Sequence, residues 1–206
     1  MYTKPLTQLE TIRSRLVAAG ESFSLPADNE LSMFNEKNEP LIWFFDEGSV
    51  VLHRETDDLL MDLVSAPTLI GLANIIHTSQ IKYRMITQTN CKGFFLPANL
   101  AFDIIEKNRL WQHACHWTTY ILRSLEYRDA RFVGATTYSQ IRATLLTMDS
   151  WGVDLRARTG VINFIQKRTK ISRSVIAEIL SALRKGNYIE MDKGKLIAVN
   201  RLPSSY

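Results

Sequence analysis

The apolar positions of this chain change period along its length, and the changes mark out its elements. Leu6, Leu9, Ile12, Leu16 and Ala19 recur at helical spacing, and Gly20 stands where such a helix should stop. Over residues 22–96 the pattern becomes short apolar or alternating runs at 41–45, 49–53, 59–64, 82–87 and 92–96. The turn clusters Asn38-Glu39-Pro40, Asp46-Glu47-Gly48, Thr56-Asp57-Asp58 and Ala66-Pro67 divide them. Many short, closely spaced strands predict an antiparallel sandwich or barrel. A short helical piece at 72–76 interrupts it.

From Pro97 to Val133 the period is helical again, and Pro97 suits a first turn. Trp111, Cys115, Thr118, Leu122, Leu125, Asp129 and Phe132 form one row at alternating spacings of four and three. A second row, Ala114, Trp117, Ile121, Ser124 and Arg128, runs beside it. The spacing predicts one long helix of roughly 35 residues, about 50 Å at 1.5 Å per residue. A seam of that kind seeks a partner helix, most simply a second copy of itself, so Trp111, Cys115, Thr118, Leu122, Leu125 and Phe132 are its expected dimerisation residues. The alternative is a helix that only spans a face of the β-domain. Gly134-Ala135-Thr136-Thr137 reads as a hinge, and residues 138–151 as a further helix with Ile141, Leu145, Leu146 and Met148 inward.

The stretch 161–200 is the most telling. Residues 161–168 predict a helix that buries Val161, Ile162 and Ile165, and Thr169-Lys170-Ile171 a tight turn. Ser172 is an N-cap, its hydroxyl able to accept an orphan backbone N–H. The helix over 173–185 has the apolar stripe Val175, Ile176, Ile179, Leu180 and Leu183 and leaves Arg173, Ser174, Ala177, Glu178 and Ser181 on the other face. Gly186-Asn187 closes it with residues that tolerate a left-handed backbone. The runs 188–191 and 196–199, joined by Asp192-Lys193-Gly194-Lys195, form a small basic hairpin. Helix, turn, helix and wing together are a winged helix-turn-helix, whose second helix enters the major groove of DNA.

Chemistry at these positions fits base and phosphate readout. Arg173 suits both acceptors of a guanine, Glu178 a cytosine amino group, and Ala177 either a close approach or a thymine methyl, while Ser174 is permissive. Lys170, Ser172, Ser181, Lys193 and Lys195 complete the expected DNA-binding set, the two wing lysines as phosphate contacts. Another reading of Glu178 is a surface partner of Arg184 or Lys185. Charge supports a polyanionic partner for this region alone. From Trp151 onward eleven Lys/Arg face four Asp/Glu, a net +7, whereas residues 1–150 hold fourteen against seventeen, a net −3, which gives the chain its +4.

The remaining composition narrows the class. An apolar share of 46% over 206 residues supports real cores and two domains. Cys91 and Cys115 have no metal-ligand spacing, which argues against a disulfide framework, a zinc finger or an iron–sulfur cluster. They read either as a thiol sensor or, for Cys115 on the seam, as a small packed residue. His53 and His77 make no closely spaced pair, and no nucleophile elbow, P-loop or dinucleotide fingerprint is present. Trp43, Phe44 and Phe45 read as core filling. No catalytic residue, metal site or cofactor is therefore expected, and the lack of a secretory or membrane-spanning run makes the expected location cytoplasmic.

The run Ile171-Ser172-Arg173-Ser174-Val175-Ile176-Ala177-Glu178-Ile179-Leu180 resembles the recognition-helix signature of the Crp/Fnr superfamily of bacterial regulators. Trp43-Phe44-Phe45-Asp46-Glu47-Gly48-Ser49-Val50 resembles the strand–turn–strand of that superfamily's β-roll. More closely, Tyr138-Ser139-Gln140-Ile141-Arg142-Ala143-Thr144-Leu145 and the run 172–203 resemble the enterobacterial IprA (YaiV) regulators, so the resemblance spans essentially the whole chain. It implies an α+β fold: a cyclic-nucleotide-binding-like β-roll, a long dimerisation helix and a C-terminal winged helix-turn-helix. It also implies an oxidative-stress regulon, since that family's name refers to inhibition of hydrogen-peroxide resistance.

Departures from the superfamily's pattern matter as well. Its nucleotide binders carry a Gly-Glu-Leu turn and an Arg followed by Ser or Thr, whereas this chain has Gly71-Leu72-Ala73 and Lys82-Tyr83-Arg84. No cyclic-nucleotide binding is therefore expected, and the β-roll is either a divergent sensor or a structural remnant. Positions where well-known members carry Glu and Arg are Ser174 and Glu178 here, so the target sequence should differ. The expected division is 1–96 for the N-terminal helix and β-roll, 97–134 for the long helix and hinge, and 135–206 for the DNA-reading domain. Expected partners are double-stranded DNA, a second copy of the chain and RNA polymerase, with the effector left open. The alternative is a small-molecule-binding β-barrel whose basic C-terminal domain docks a protein partner.

Overall fold

The structure is a computed structural model that describes residues 2–204. It divides into two compact units, one through Glu126 and the other from Tyr127 on. In the first, helix α1 (Leu6–Leu16) continues as a short 3-10 turn (Val17–Ala19). Strands β1 (Glu21–Leu25), β2 (Glu30–Ser32), β3 (Leu41–Glu47), β4 (Ser49–Arg54), β5 (Leu59–Ser65), β6 (Thr68–Ile70), β7 (Tyr83–Thr87) and β8 (Cys91–Pro97) follow. They form two antiparallel four-stranded sheets with strand orders β1-β8-β3-β6 and β2-β7-β4-β5. The 3-10 turn Leu72–Ile75 lies between β6 and β7, where a short helical piece is expected.

The unbroken apolar run of β3 has a direct cause: both faces of that strand are covered. Ile42 and Phe44 point with Phe94 and Leu96 into a core shared with Leu9, Ile12 and Leu16 of α1. Leu41, Trp43 and Phe45 point the other way, against Leu31, Val50, Met85 and Cys91 between the two sheets. Phe44 lies directly across from Phe94 and stacks on it with rings 5.3 Å apart. Gly93 permits the close pairing of β8 and β3, since a Cβ there would lie 1.9 Å from the carbonyl oxygen of Phe44.

The expected single helix over 97–133 is two helices, α2 (Ala98–Lys107) and α3 (Trp111–Phe132). Asn108, Arg109 and Leu110 close α2 in a Schellman turn. Leu110 N–H donates to Ile105 C=O, Arg109 N–H to Glu106 C=O, and Arg109 takes the left-handed conformation at φ +56°. The turn tucks Leu110 into the core beside Ala101 and Ile105 of α2 and Ala114 and Trp117 of α3. Burial of those side chains offsets the left-handed strain of a non-glycine residue. At 22 residues, α3 is about 33 Å long rather than about 50 Å.

The second unit holds the end of α3 and then α4 (Thr137–Asp149), α5 (Val153–Arg158), α6 (Val161–Thr169), α7 (Arg173–Lys185), β9 (Ile189–Asp192) and β10 (Lys195–Val199). Its interior comprises Ile141, Leu145 and Met148 of α4, Phe164 and Ile165 of α6, and Ile176, Ile179, Leu180 and Leu183 of α7. Among the described residues, no helix is long and apolar enough to cross a membrane.

Candidate nucleic-acid interface

The helix-turn-helix is built by local backbone chemistry. α6 ends where Lys170 adopts φ +61° and donates its N–H to Gln166 C=O. The Thr169 hydroxyl donates to Ile165 C=O and accepts from Ile171 N–H, which holds the turn from both sides. Ser172 then caps α7, its Oγ accepting the Val175 N–H at 3.4 Å. The cap is where the sequence places it, and it fixes which residues open the helix.

α7 is amphipathic over its full length. Ile176, Ile179, Leu180 and Leu183 are buried. Arg173, Ser174, Ala177, Glu178 and Ser181 are exposed together on the opposite face, a strip about 12 Å long from Arg173 to Ser181. Glu178 makes no ion pair among the described residues, so the expected alternative of pairing with Arg184 or Lys185 is not seen. Val175, expected in the apolar stripe, is 37% exposed because it sits in the first turn, at the margin of that stripe.

A second Schellman turn ends α7. Tyr188 N–H donates to Leu183 C=O and Asn187 N–H to Arg184 C=O, with Asn187 left-handed at φ +56°. Gly186 has ordinary φ, and its lack of a side chain matters for another reason: a Cβ there would lie 2.5 Å from the Tyr188 ring.

The wing turns through Lys193 and Gly194, both at positive φ, as a two-residue hairpin requires. Its tip is tied to α6, since Gly194 C=O accepts the Val161 N–H at 3.0 Å. Lys193 is exposed at the tip. Lys195 is not equivalent to it: its ammonium donates to Arg158 C=O at 2.6 Å. That carbonyl belongs to α5, a helix missed in the sequence because its six residues carry a single buried apolar side chain, Leu155.

The expected dimer row divides on the structure. Cys115, Thr118, Leu122 and Leu125 are exposed along α3, while the adjacent row sends Ala114 and Trp117 into the core. Trp111 stacks edge-on against Phe102 and donates its indole N–H to Glu106. Phe132 is half-buried, with the Arg168 guanidinium over its ring. Cys91 is buried between the sheets, its thiol donating to Ser49 C=O and Thr89 C=O at 3.4 Å, and burial pushes that thiol above its ordinary pKa. No cluster of His, Cys, Asp or Glu among the described residues has the arrangement to hold a metal ion.

Comparison with known proteins agrees with this architecture. Residues 137–204 match the family described as winged helix-turn-helix DNA binding. The chain is 43% identical over 203 residues to the inhibitor of hydrogen peroxide resistance of Escherichia coli (strain K12), covering 98% of both chains. It is 42% identical over 204 residues to the protein of that name from Salmonella typhimurium, covering 99% of this chain and 98% of the other. Among solved structures, the c-di-GMP responsive global regulator CLP of Xanthomonas campestris matches 93% of this chain and 99% of its own, at 12% identity and a TM-score of 0.73. A transcriptional regulator of the crp/fnr family from Eubacterium rectale covers 95% of this chain and 94% of its own, at 12% identity and a TM-score of 0.70. At such identities the structural likeness shows the fold.

Proposed function

The chain belongs to the family of the inhibitors of hydrogen peroxide resistance and is a Crp/Fnr-like transcriptional regulator with a winged helix-turn-helix, and from that premise we propose that it binds near-palindromic DNA as a homodimer and restrains peroxide resistance. The observation that carries this is α7, whose packed face is fully apolar and whose exposed face presents Arg173, Ser174, Ala177, Glu178 and Ser181 behind the Ser172 cap. Arg173, Ser174 and Glu178 read bases, Ala177 permits close approach, and Lys170, Ser172, Ser181 and Lys193 position the phosphates. Lys195 is the weaker phosphate contact, since one of its ammonium donors is already given to the Arg158 carbonyl. Cys115, Thr118, Leu122 and Leu125 form the dimer seam.

The β-domain holds no cyclic nucleotide in this proposal. Leu72, where the nucleotide binders carry a Glu, is buried in the helix-facing core. Arg84 is held by Asp58 at 2.6 Å and Glu30 at 3.3 Å. Phe23, Trp43, Phe45 and Phe95 stack in the space between the sheets. Titration calorimetry with cAMP and cGMP should show no stoichiometric heat, and a saturable site for either would overturn this point.

The direct test is selection of duplexes from a random pool by the full chain, followed by Arg173→Ala. The variant should lose about 1–3 kcal/mol at one base pair per half-site. Failure to enrich any sequence, or an equal loss on all sequences, would remove the base-reading role.

A further inference from the structure

The DNA-reading unit contains a side-chain contact that crosses the hinge. Arg168, in the last turn of α6, is only 8% exposed, although it is a cation. Its guanidinium carbon lies 5.1 Å from the centroid of the Phe132 ring, at the end of α3. Both residues belong to the second unit, which begins at Tyr127. Immediately after Arg168 come Thr169, the left-handed Lys170 and Ser172, the turn and cap that set the direction of α7.

The backbone between Phe132 and the α4 cap Thr136 is held by hydrogen bonds at its two ends, Val133 N–H to Asp129 C=O and the Gln140 side chain to Ala135 C=O, with no packing around Gly134 between them. Val133 is 75% exposed, and Gly134, at φ +70°, has no atom within 4 Å of where a Cβ would stand. The Phe132–Arg168 contact joins the two sides of this hinge through side chains. A guanidinium over an aromatic face gains most when water is excluded, as it is here. A planar guanidinium also keeps its orientation on the ring, which an ammonium does not.

We propose that Arg168 is a positioning residue for DNA recognition: by seating on Phe132 it fixes the direction of α7 relative to the last turn of α3. The inference rests on the reading that α3 forms the dimer. In such a dimer the separation of the two recognition helices is set at the ends of the two α3 helices. Loosening the contact spreads that separation. The effective concentration of the second helix at its half-site then falls at the native spacing and rises at other spacings. It also moves Phe132 from the dimer seam to the hinge.

The test uses the full chain and its Phe132→Leu and Arg168→Met variants, which keep apolar bulk but remove the ring or the charge. The duplexes, built from the sequence the parent selects, carry one half-site, two half-sites at native spacing, or two half-sites with one to three base pairs inserted. Both variants should bind the single half-site within about twofold of the parent, lose about tenfold at native spacing and lose less at the other spacings. Equal losses on single and paired half-sites would assign Arg168 a structural role alone, and an unchanged spacing profile would show the contact to be idle. If Arg168→Met melts early, Phe132→Leu decides. A parent with no spacing preference would sink the dimer reading and this inference with it. A parent with a preference that both variants retain would sink the inference alone.

Discussion

Arg173 and Lys193 are both exposed cations in the DNA-reading unit, yet they should behave differently when removed. A guanidinium at the start of a recognition helix reads two acceptors on one base, so its loss falls on one base pair. An ammonium at the tip of a wing neutralises phosphate, which every sequence offers. Lys193→Ala should therefore weaken all duplexes alike and reduce the slope of log affinity against log salt by about one. A sequence-dependent loss measured across a panel of duplexes would place Lys193 at a base instead. Lys195→Ala should do less, because its ammonium already serves Arg158 C=O. Cys91 is a second residue whose setting decides its chemistry. Burial disfavours its thiolate, so iodoacetamide should leave Cys91 unmodified in the folded chain and label it only after unfolding, as read by mass spectrometry. The same raised pKa makes folding stability full below the ordinary thiol range and lowers it as pH rises through the folded value. Rapid native alkylation of Cys91 would rule out that setting.

At the scale of elements, signals carried by periodicity and capping were legible and those carried by packing were not. α1, α4, α6, α7 and the wing are where the spacing of apolar residues and the Ser172 cap place them. Replacing that cap, Ser172→Ala, should cost about 1 kcal/mol in thermal melts; no change would mean that the 3.4 Å bond contributes nothing. The break between α2 and α3 was not legible, because the left-handed residue that makes it is Arg109 and the sequence signal for such a turn is glycine. The strands β1, β2 and β6 were missed for a related reason. Two of them have three residues, and β1 carries just two apolar side chains, Phe23 and Leu25, and is held in place by β8. Gly93 shows what such pairing requires. Gly93→Ala would drive a methyl group into the Phe44 carbonyl, and the chain cannot yield without unpairing β3 from β8. The expected cost is roughly 3 kcal/mol or more in denaturant melts. A loss below about 1 kcal/mol would show that the two strands separate easily.

For the whole molecule, the proposed dimer needs a surface to pair through, and α3 carries two adjacent rows with different fates. Ala114 and Trp117 fill the core, and Trp117 donates its indole N–H to Leu69 C=O at 2.9 Å, so that face is spent. Leu122 and Leu125, in the neighbouring row and further along the helix, remain 53% and 45% exposed. Burying a leucine is worth about 1.5–3 kcal/mol, and a two-fold seam would bury four of them, enough to hold a dimer once the cost of association is met. Leu122→Glu and Leu125→Glu replace that gain with carboxylates facing each other across the axis. Because both positions are exposed within the single chain, the double variant should melt close to the parent while sedimenting as a monomer. It should also keep its affinity for a single half-site and lose the added affinity of a second. Cys115 supplies an independent readout: on the same exposed row, it should react with iodoacetamide faster in the double variant than in the parent dimer. A double variant that still sediments as a dimer would move the interface off this row. A parent that sediments as a monomer at micromolar concentration would leave the two half-sites to be joined by DNA alone.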